Sequence, residues 1–216
     1  MILSQNYSKF INNTTNMKKK VKELFEESIN VKRLCVEQGF LPIESMCRKI
    51  TSALEKGNKL MLCGNGGSAA DAQHLAAEML VRLRPKNNRA GIPAISLAQD
   101  TSTITACGND FGYDQLFSRL VQTLGQEGDV LIVITTSGNS KNILKAVKSA
   151  KKMGVLVFGF LGAGGGKVMK YCDEYFLVPS NDTGRIQEAH ITAGHALMEL
   201  IEDELLNSGY ITLQDS

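Results

Sequence analysis

Four residues in this chain have the types and spacing to hold a metal ion or to move a proton. His74 and Glu78 stand four apart in the segment DAQHLAAEM, so on a helix they project from one face about one turn apart. Gln187 and His195 stand eight apart in RIQEAHITAGH, a little over two helical turns and again one face. Two imidazoles, a carboxylate and an amide oxygen make a mixed nitrogen and oxygen donor set suited to zinc or a similar divalent ion. Taken alone, a His/Glu pair at this spacing is more often a surface ion pair than a site. Spacing does not show that the two segments converge. His190, three residues from Gln187, is expected to pack or to support its neighbours.

Two loops could cradle an anion. The first is Gly64, Asn65, Gly66, Gly67 and Ser68 in CGNGGSAAD, residues 63–71. Its glycines permit a tight turn and close approach of backbone N–H groups, while the following helix N-terminus adds partial positive charge. Ser68 either caps that helix or donates to a ligand. The second is Thr135, Thr136, Ser137, Gly138, Asn139 and Ser140, where four hydroxyls crowd one helix N-terminus and suit a phosphate. Each loop alone could be a plain turn or cap. Neither carries the GxGxxG dinucleotide spacing or a GKS/GKT triphosphate loop, so a small phosphorylated ligand fits better than a nucleotide.

The elements that must position these groups follow from texture. After Gly57, short apolar runs at 59–63, 93–97, 130–135, 155–161 and 174–178 alternate with longer amphipathic stretches, the pattern of β-α-β units. The run Val130, Leu131, Ile132, Val133, Ile134 is apolar throughout, so both sheet faces must be covered. The expected fold is α/β: a three-layer α/β/α sandwich on a five-stranded parallel sheet, with ligands beyond the carboxyl ends of the strands. Residues 17 to about 56 read as two helices with Pro42 interrupting. The expected division is an N-terminal helical arm, 1–56, and one domain, 57–216.

Composition excludes several classes. At 216 residues with 43% apolar and 21% charged residues, one well-buried domain is expected. A net charge of +2 with one dense basic run, Lys18 to Lys20, predicts no nucleic-acid partner. Five cysteines without CxxC spacing suit neither a zinc knuckle nor a disulfide framework, and are expected to be reduced thiols in a cytoplasm. No window approaches the ~18 apolar residues of a membrane span, so no membrane partner is expected.

The segments CGNGGSAADAQHLAAEM, GNDFGYDQLFSR, TTSGNSKN and RIQEAHITAGH resemble, in this order, the SIS (sugar isomerase) family over roughly 57–206. The resemblance is to its members that convert D-sedoheptulose 7-phosphate to D-glycero-D-manno-heptose 7-phosphate on the way to lipopolysaccharide heptose. It implies that Glu78 is the base moving a proton between C1 and C2 through an enediol, with His195 its acid–base partner at the oxygens. It also implies a metal site, commonly zinc, at His74, Glu78, Gln187 and His195. Asn65, Gly66, Gly67, Asn109, Asp110, Thr135, Thr136, Ser137, Ser140 and Gln187 would hold the sugar phosphate. The family further implies a homotetramer whose sites lie at subunit interfaces.

One departure is Gly184, where some relatives carry an acid, which puts one sugar contact in doubt. A second class in the family is a non-catalytic tetrameric scaffold that binds the replication initiator. It lacks the acid at the position of Glu78 and the histidine at that of His195, and this chain keeps both. A regulatory sugar-phosphate-binding module is a third class, but no DNA-binding segment accompanies the sheet.

Overall fold

Five parallel strands, β1 (Leu60–Gly64), β2 (Ala94–Ser96), β3 (Val130–Thr135), β4 (Leu156–Leu161) and β5 (Glu174–Leu177), form one sheet in the order β2-β1-β3-β4-β5. The computed structural model describes residues 2–98 and 100–214, with side chains from residue 16 onward. Helices α3 (Gly67–Ala77), α4 (Thr101–Asp110), α5 (Leu116–Leu124), α6 (Lys141–Lys152) and α7 (Thr183–Asn207) follow strands or link them, and α1 (Ile2–Gln38) and α2 (Leu41–Glu55) precede the sheet. This is the expected three-layer α/β/α architecture.

Every residue of β3 is buried, because alternate side chains feed two separate cores. Ile132 and Ile134 pack with Ile50, Leu54, Leu75 and Ile201 on the side of α2, α3 and α7. Leu131 and Val133 pack with Phe117, Val121, Ile143 and Val147 on the side of α5 and α6. Chain order reverses at β1, with β2 on one side and β3 on the other, so a crevice opens between the ends of β1 and β3, the position where such sheets bind ligands. Gly64 pairs in register with Ile134, which sets the loops after β1 and β3 side by side.

The break between α1 and α2 falls at Gly39, whose φ is +80°, and not at Pro42. Proline lies in the first turn of α2, where its missing N–H has no intrahelical partner to lose. One face of α1 buries Val31 and Cys35, while Val21, Phe25 and Ile29 stay more than half exposed. Arg185 of α7 ties α1 down by donating from Nη1 to the Leu24 carbonyl at 2.8 Å. Lys18, Lys19 and Lys20 are exposed.

His190 is fully buried between α7 and the sheet, its ring centroid 6.0 Å from that of Phe160. Burial pulls its pKa from 6.5 to about 4, against the opposing effect of the Leu161 backbone. A depressed histidine contributes stability that is complete above pH 6.5 and is lost as pH falls toward 4, because the unfolded chain takes up the proton first. Between pH 7 and pH 4.5 this group is expected to cost the native state roughly 2–3 kcal/mol. Denaturant unfolding of the parent and of His190→Leu at the two pH values measures it: the parent should lose more stability than the variant by that amount.

Candidate active site

The turn after β1 is as tight as the glycine pattern implies. Gly66 adopts φ +55°, and a Cβ at Gly64 would meet the Ser68 carbonyl oxygen at 2.5 Å, so the chain doubles back directly onto the start of α3. Ser68 is buried. A Cβ at Gly67 would lie 2.7 Å from Gln187 Nε2, so the loop and the first turns of α7 touch at this point.

Farther along these helices the two histidines and the glutamate converge. His74 Nε2 lies 2.8 Å from His195 Nε2 and 3.4 Å from Glu78 Oε1. One ligand atom from each of the three residues falls within 4.8 Å of the others. Glu78 opens a π-turn, Glu78–Arg82, that continues α3, and such turns occur frequently at functional sites. Its side chain is 16% exposed, and Oε2 is buried without a hydrogen-bond partner among the described residues. An orphaned carboxylate oxygen beside two imidazole nitrogens is a donor set that fits a zinc-type ion. Gln187 reaches the glycine loop on the same helix as His195.

The loop after β3 is shaped by a second close packing. Gly138 has φ +61°, and a Cβ there would sit 1.9 Å from the Gly165 carbonyl oxygen, so the 162–168 loop after β4 lies flat against it. Val168 N donates to the Gly138 carbonyl at 3.0 Å and Lys167 N to Asn139 Oδ1 at 3.2 Å. Thr135 Oγ1 accepts from Gly138 N and Ser137 Oγ from Asn139 N, both at 3.2 Å. Ser140 occupies the N-cap of α6 without a side-chain capping bond.

A pair of amides clasps the two loops together. Asn65 Nδ2 donates to Asn142 Oδ1 at 3.0 Å, and Asn142 Nδ2 returns a bond to Asn65 Oδ1 at 2.8 Å. Asn65 Oδ1 also accepts from the Tyr113 hydroxyl at 2.8 Å. Asn142 was not among the residues expected from sequence, since only its position at the start of a helix distinguished it. Asp71 also went unnoticed: it lies one turn before His74, and burial pushes its carboxyl up while His74 and His195 oppose the rise.

Not every expected residue meets the others. Asn109 and Asp110 lie exposed at the end of α4, where Asn109 Nδ2 donates to Asp110 Oδ1 at 2.7 Å, and of that segment Tyr113 is the side chain that bonds to the glycine loop. Gly184 lies in the first turn of α7 beside Asp182, whose carboxylate caps the helix by accepting from Arg185 N at 2.9 Å. Two thiols are held in the protonated form: burial pushes the Cys47 thiol up to about 11 and the partly buried Cys172 thiol up to about 12.

The chain is similar to known proteins in sequence and fold. The SIS domain family profile matches residues 23–162, beginning within α1. The phosphoheptose isomerase of Aquifex aeolicus is 49% identical over 187 residues, covering 87% of this chain and 97% of that protein. That of Aneurinibacillus thermoaerophilus is 44% identical over 196 residues, covering 90% and 98%. Among solved structures, the phosphoheptose isomerase of Neisseria gonorrhoeae superposes with a TM-score of 0.81 at 39% identity, covering 87% of this chain and 99% of that one. With sequence and overall fold in agreement over nearly the full length of these relatives, the chain belongs to the phosphoheptose isomerases of the SIS domain family.

Proposed function

We propose that this chain interconverts D-sedoheptulose 7-phosphate and D-glycero-D-manno-heptose 7-phosphate through an enediol, an early step toward ADP-heptose and the lipopolysaccharide core. The convergence of Glu78, His74 and His195 on two helices whose first turns bring Gln187 against the glycine loop is the observation that carries this reading. Thr135, Thr136, Ser137 and Ser140 take the phosphate with the N-terminus of α6. Asn65, Ser68, the amides of Gly66 and Gly67, and Gln187 hold the sugar, joined by Asn109 and Asp110. The Glu78 carboxylate removes the proton from the carbon beside the carbonyl and returns it to the neighbouring carbon. His195 moves the balancing proton between the two oxygens.

His74, Glu78, Gln187 and His195 would hold a divalent ion, with zinc the choice that suits two imidazoles and oxygen donors. When bound, that ion supplies electrostatic stabilisation of negative charge on the substrate oxygens. The exposed apolar stripe of Val21, Phe25 and Ile29 supports a homotetramer built through the helical arm, 1–56, with the sites of the SIS domain, 57–216, at subunit interfaces. Free buried cysteines support a cytoplasmic location, and among the described residues no helix is long and apolar enough to cross a membrane.

Purified protein incubated with sedoheptulose 7-phosphate is expected to yield an aldoheptose phosphate, to lose that activity on treatment with a chelator, and to regain it with zinc. Absence of product with every divalent ion tried would overturn the enzyme reading and leave the scaffold one.

A further inference from the structure

The close crossing of α3 and α7 brings Glu78 to His195, and three contacts set it. At one end Gly67 admits Gln187, and in the middle Gly194 admits Leu75, whose Cδ1 would lie 2.7 Å from a Cβ there. At the far end neither helix supplies a glycine. Glu202 lies seven residues beyond His195, two turns along the same face of α7, and opposite it the π-turn Glu78–Arg82 continues α3.

Arg89 fills the space between them. Its side chain is fully buried. Nη2 donates to the Glu78 carbonyl at 3.0 Å, Nη1 to the carbonyls of Met79 and Ala90 at 3.0 Å, and Nε to the Glu202 carboxylate. Glu202 is itself buried and accepts from Asn87 Nδ2 at 2.9 Å and from Arg84 Nε. Burial pushes the Glu202 carboxyl up, but the bonds from Arg89, Asn87 and Arg84 outweigh it and leave it below the ordinary carboxylate range.

A buried ion pair is weak support for stability, since well-packed apolar residues commonly replace one without loss. The fork of the guanidinium offers a geometric function instead. Arg89 binds the successive carbonyls of Glu78 and Met79, the second of which also accepts from Ile92 N at 3.0 Å, while facing a carboxylate on the other helix. A lysine, a single point donor, cannot span those acceptors.

We infer that Arg89, oriented by Glu202, is a positioning residue that fixes the Glu78 carboxylate relative to the His195 imidazole by clamping the π-turn of α3 onto α7. This rests on Glu78 and His195 being the acid–base pair. None of the bonds described for Arg89 and Glu202 reaches residues 135–140, so the phosphate seat is taken as independent of the clamp.

The test compares the parent with Arg89→Lys and with the apolar double variant Arg89→Met/Glu202→Met, using sedoheptulose 7-phosphate turnover, thermal unfolding and zinc titration against a competing chelator. Both variants are expected to lower kcat by at least about 30-fold, since displacement of a reacting group by about 1 Å costs on the order of 100-fold. KM should stay within about threefold, because uniform binding is untouched, and zinc affinity should fall by roughly 10–100-fold. The double variant should unfold cooperatively near the parent temperature, which a loss of activity through misfolding would not allow. If it does not fold, Arg89→Lys decides by the same kcat and KM split. A folded variant with parental kcat and zinc affinity overturns the inference. Glu78→Gln, run alongside, separates the two levels: if it stays active the acid–base reading fails, and if it is inactive while the clamp variants turn over normally, only the clamp fails.

Discussion

Glu78→Gln is expected to lower kcat for sedoheptulose 7-phosphate by about 10²–10⁴-fold, the contribution of a positioned base, while unfolding temperature and oligomeric state stay near those of the parent. The substitution keeps the shape of the side chain and removes its basicity. The fold does not depend on that charge: Oε2 has no hydrogen-bond partner among the described residues, and the contact of Oε1 to His74 at 3.4 Å is long for a hydrogen bond. The backbone carbonyl of Glu78, which Arg89 binds, is untouched. His195→Gln should act similarly on kcat, since it removes the group proposed to move the oxygen proton. Solvent deuterium provides a second readout independent of product formation. The parent in D₂O should exchange the hydrogen on the carbon that loses its proton, and Glu78→Gln should not. Normal turnover in either variant would sink the assignment of roles.

The second large effect is expected at Gly138. An alanine there would place its Cβ 1.9 Å from the Gly165 carbonyl oxygen in a backbone with φ +61°. Two costs can be separated, because Gly164 has φ +76° and nothing within 4 Å of its Cβ position. Gly164→Ala therefore reports the left-handed backbone alone, about 1–2 kcal/mol. Gly138→Ala adds an overlap with a main-chain atom, which no rotamer change relieves, and the loop carrying Thr136 and Ser137 must move. Its total is expected at roughly 3–5 kcal/mol by urea unfolding, within the range of severe single substitutions. KM for the sugar phosphate should rise more than about tenfold, since the hydroxyls lose their common aim. Equal stability and equal KM for the two alanine variants would show that the 162–168 loop yields freely and does not shape the phosphate seat.

What could be read from sequence was set by local periodicity. The unbroken apolar run of β3 implied burial on both faces because only a covered parallel strand tolerates it, and its residues do divide between two cores. The four-residue step from His74 to Glu78 implied a shared face, and the two side chains meet. Contacts between residues far apart in sequence were not legible in this way. His74 and His195 are 121 residues apart, Asn65 and Asn142 77, and Arg89 and Glu202 113. No spacing within one helix encodes such pairs. The π-turn at Glu78 was equally invisible, since one added residue per turn barely alters an apolar pattern over so short a stretch. Pro42 suggested a break at its own position, but the left-handed backbone at Gly39 supplied it.

The margins of the sheet bear on how the protein behaves when concentrated. β2 is only three residues long and pairs with only three of the five residues of β1. At the opposite margin β5 is four residues long, and its Glu174 is held by Ser45 at 2.7 Å and Lys49 at 2.6 Å from α2. Short border strands, one of them with a charge tied down beside it, offer few free main-chain groups for a stranger's strand to zip onto. A sheet finished in this way resists the edge-to-edge growth that leads to fibres, even though the apolar stripe of Val21, Phe25 and Ile29 on α1 is exposed.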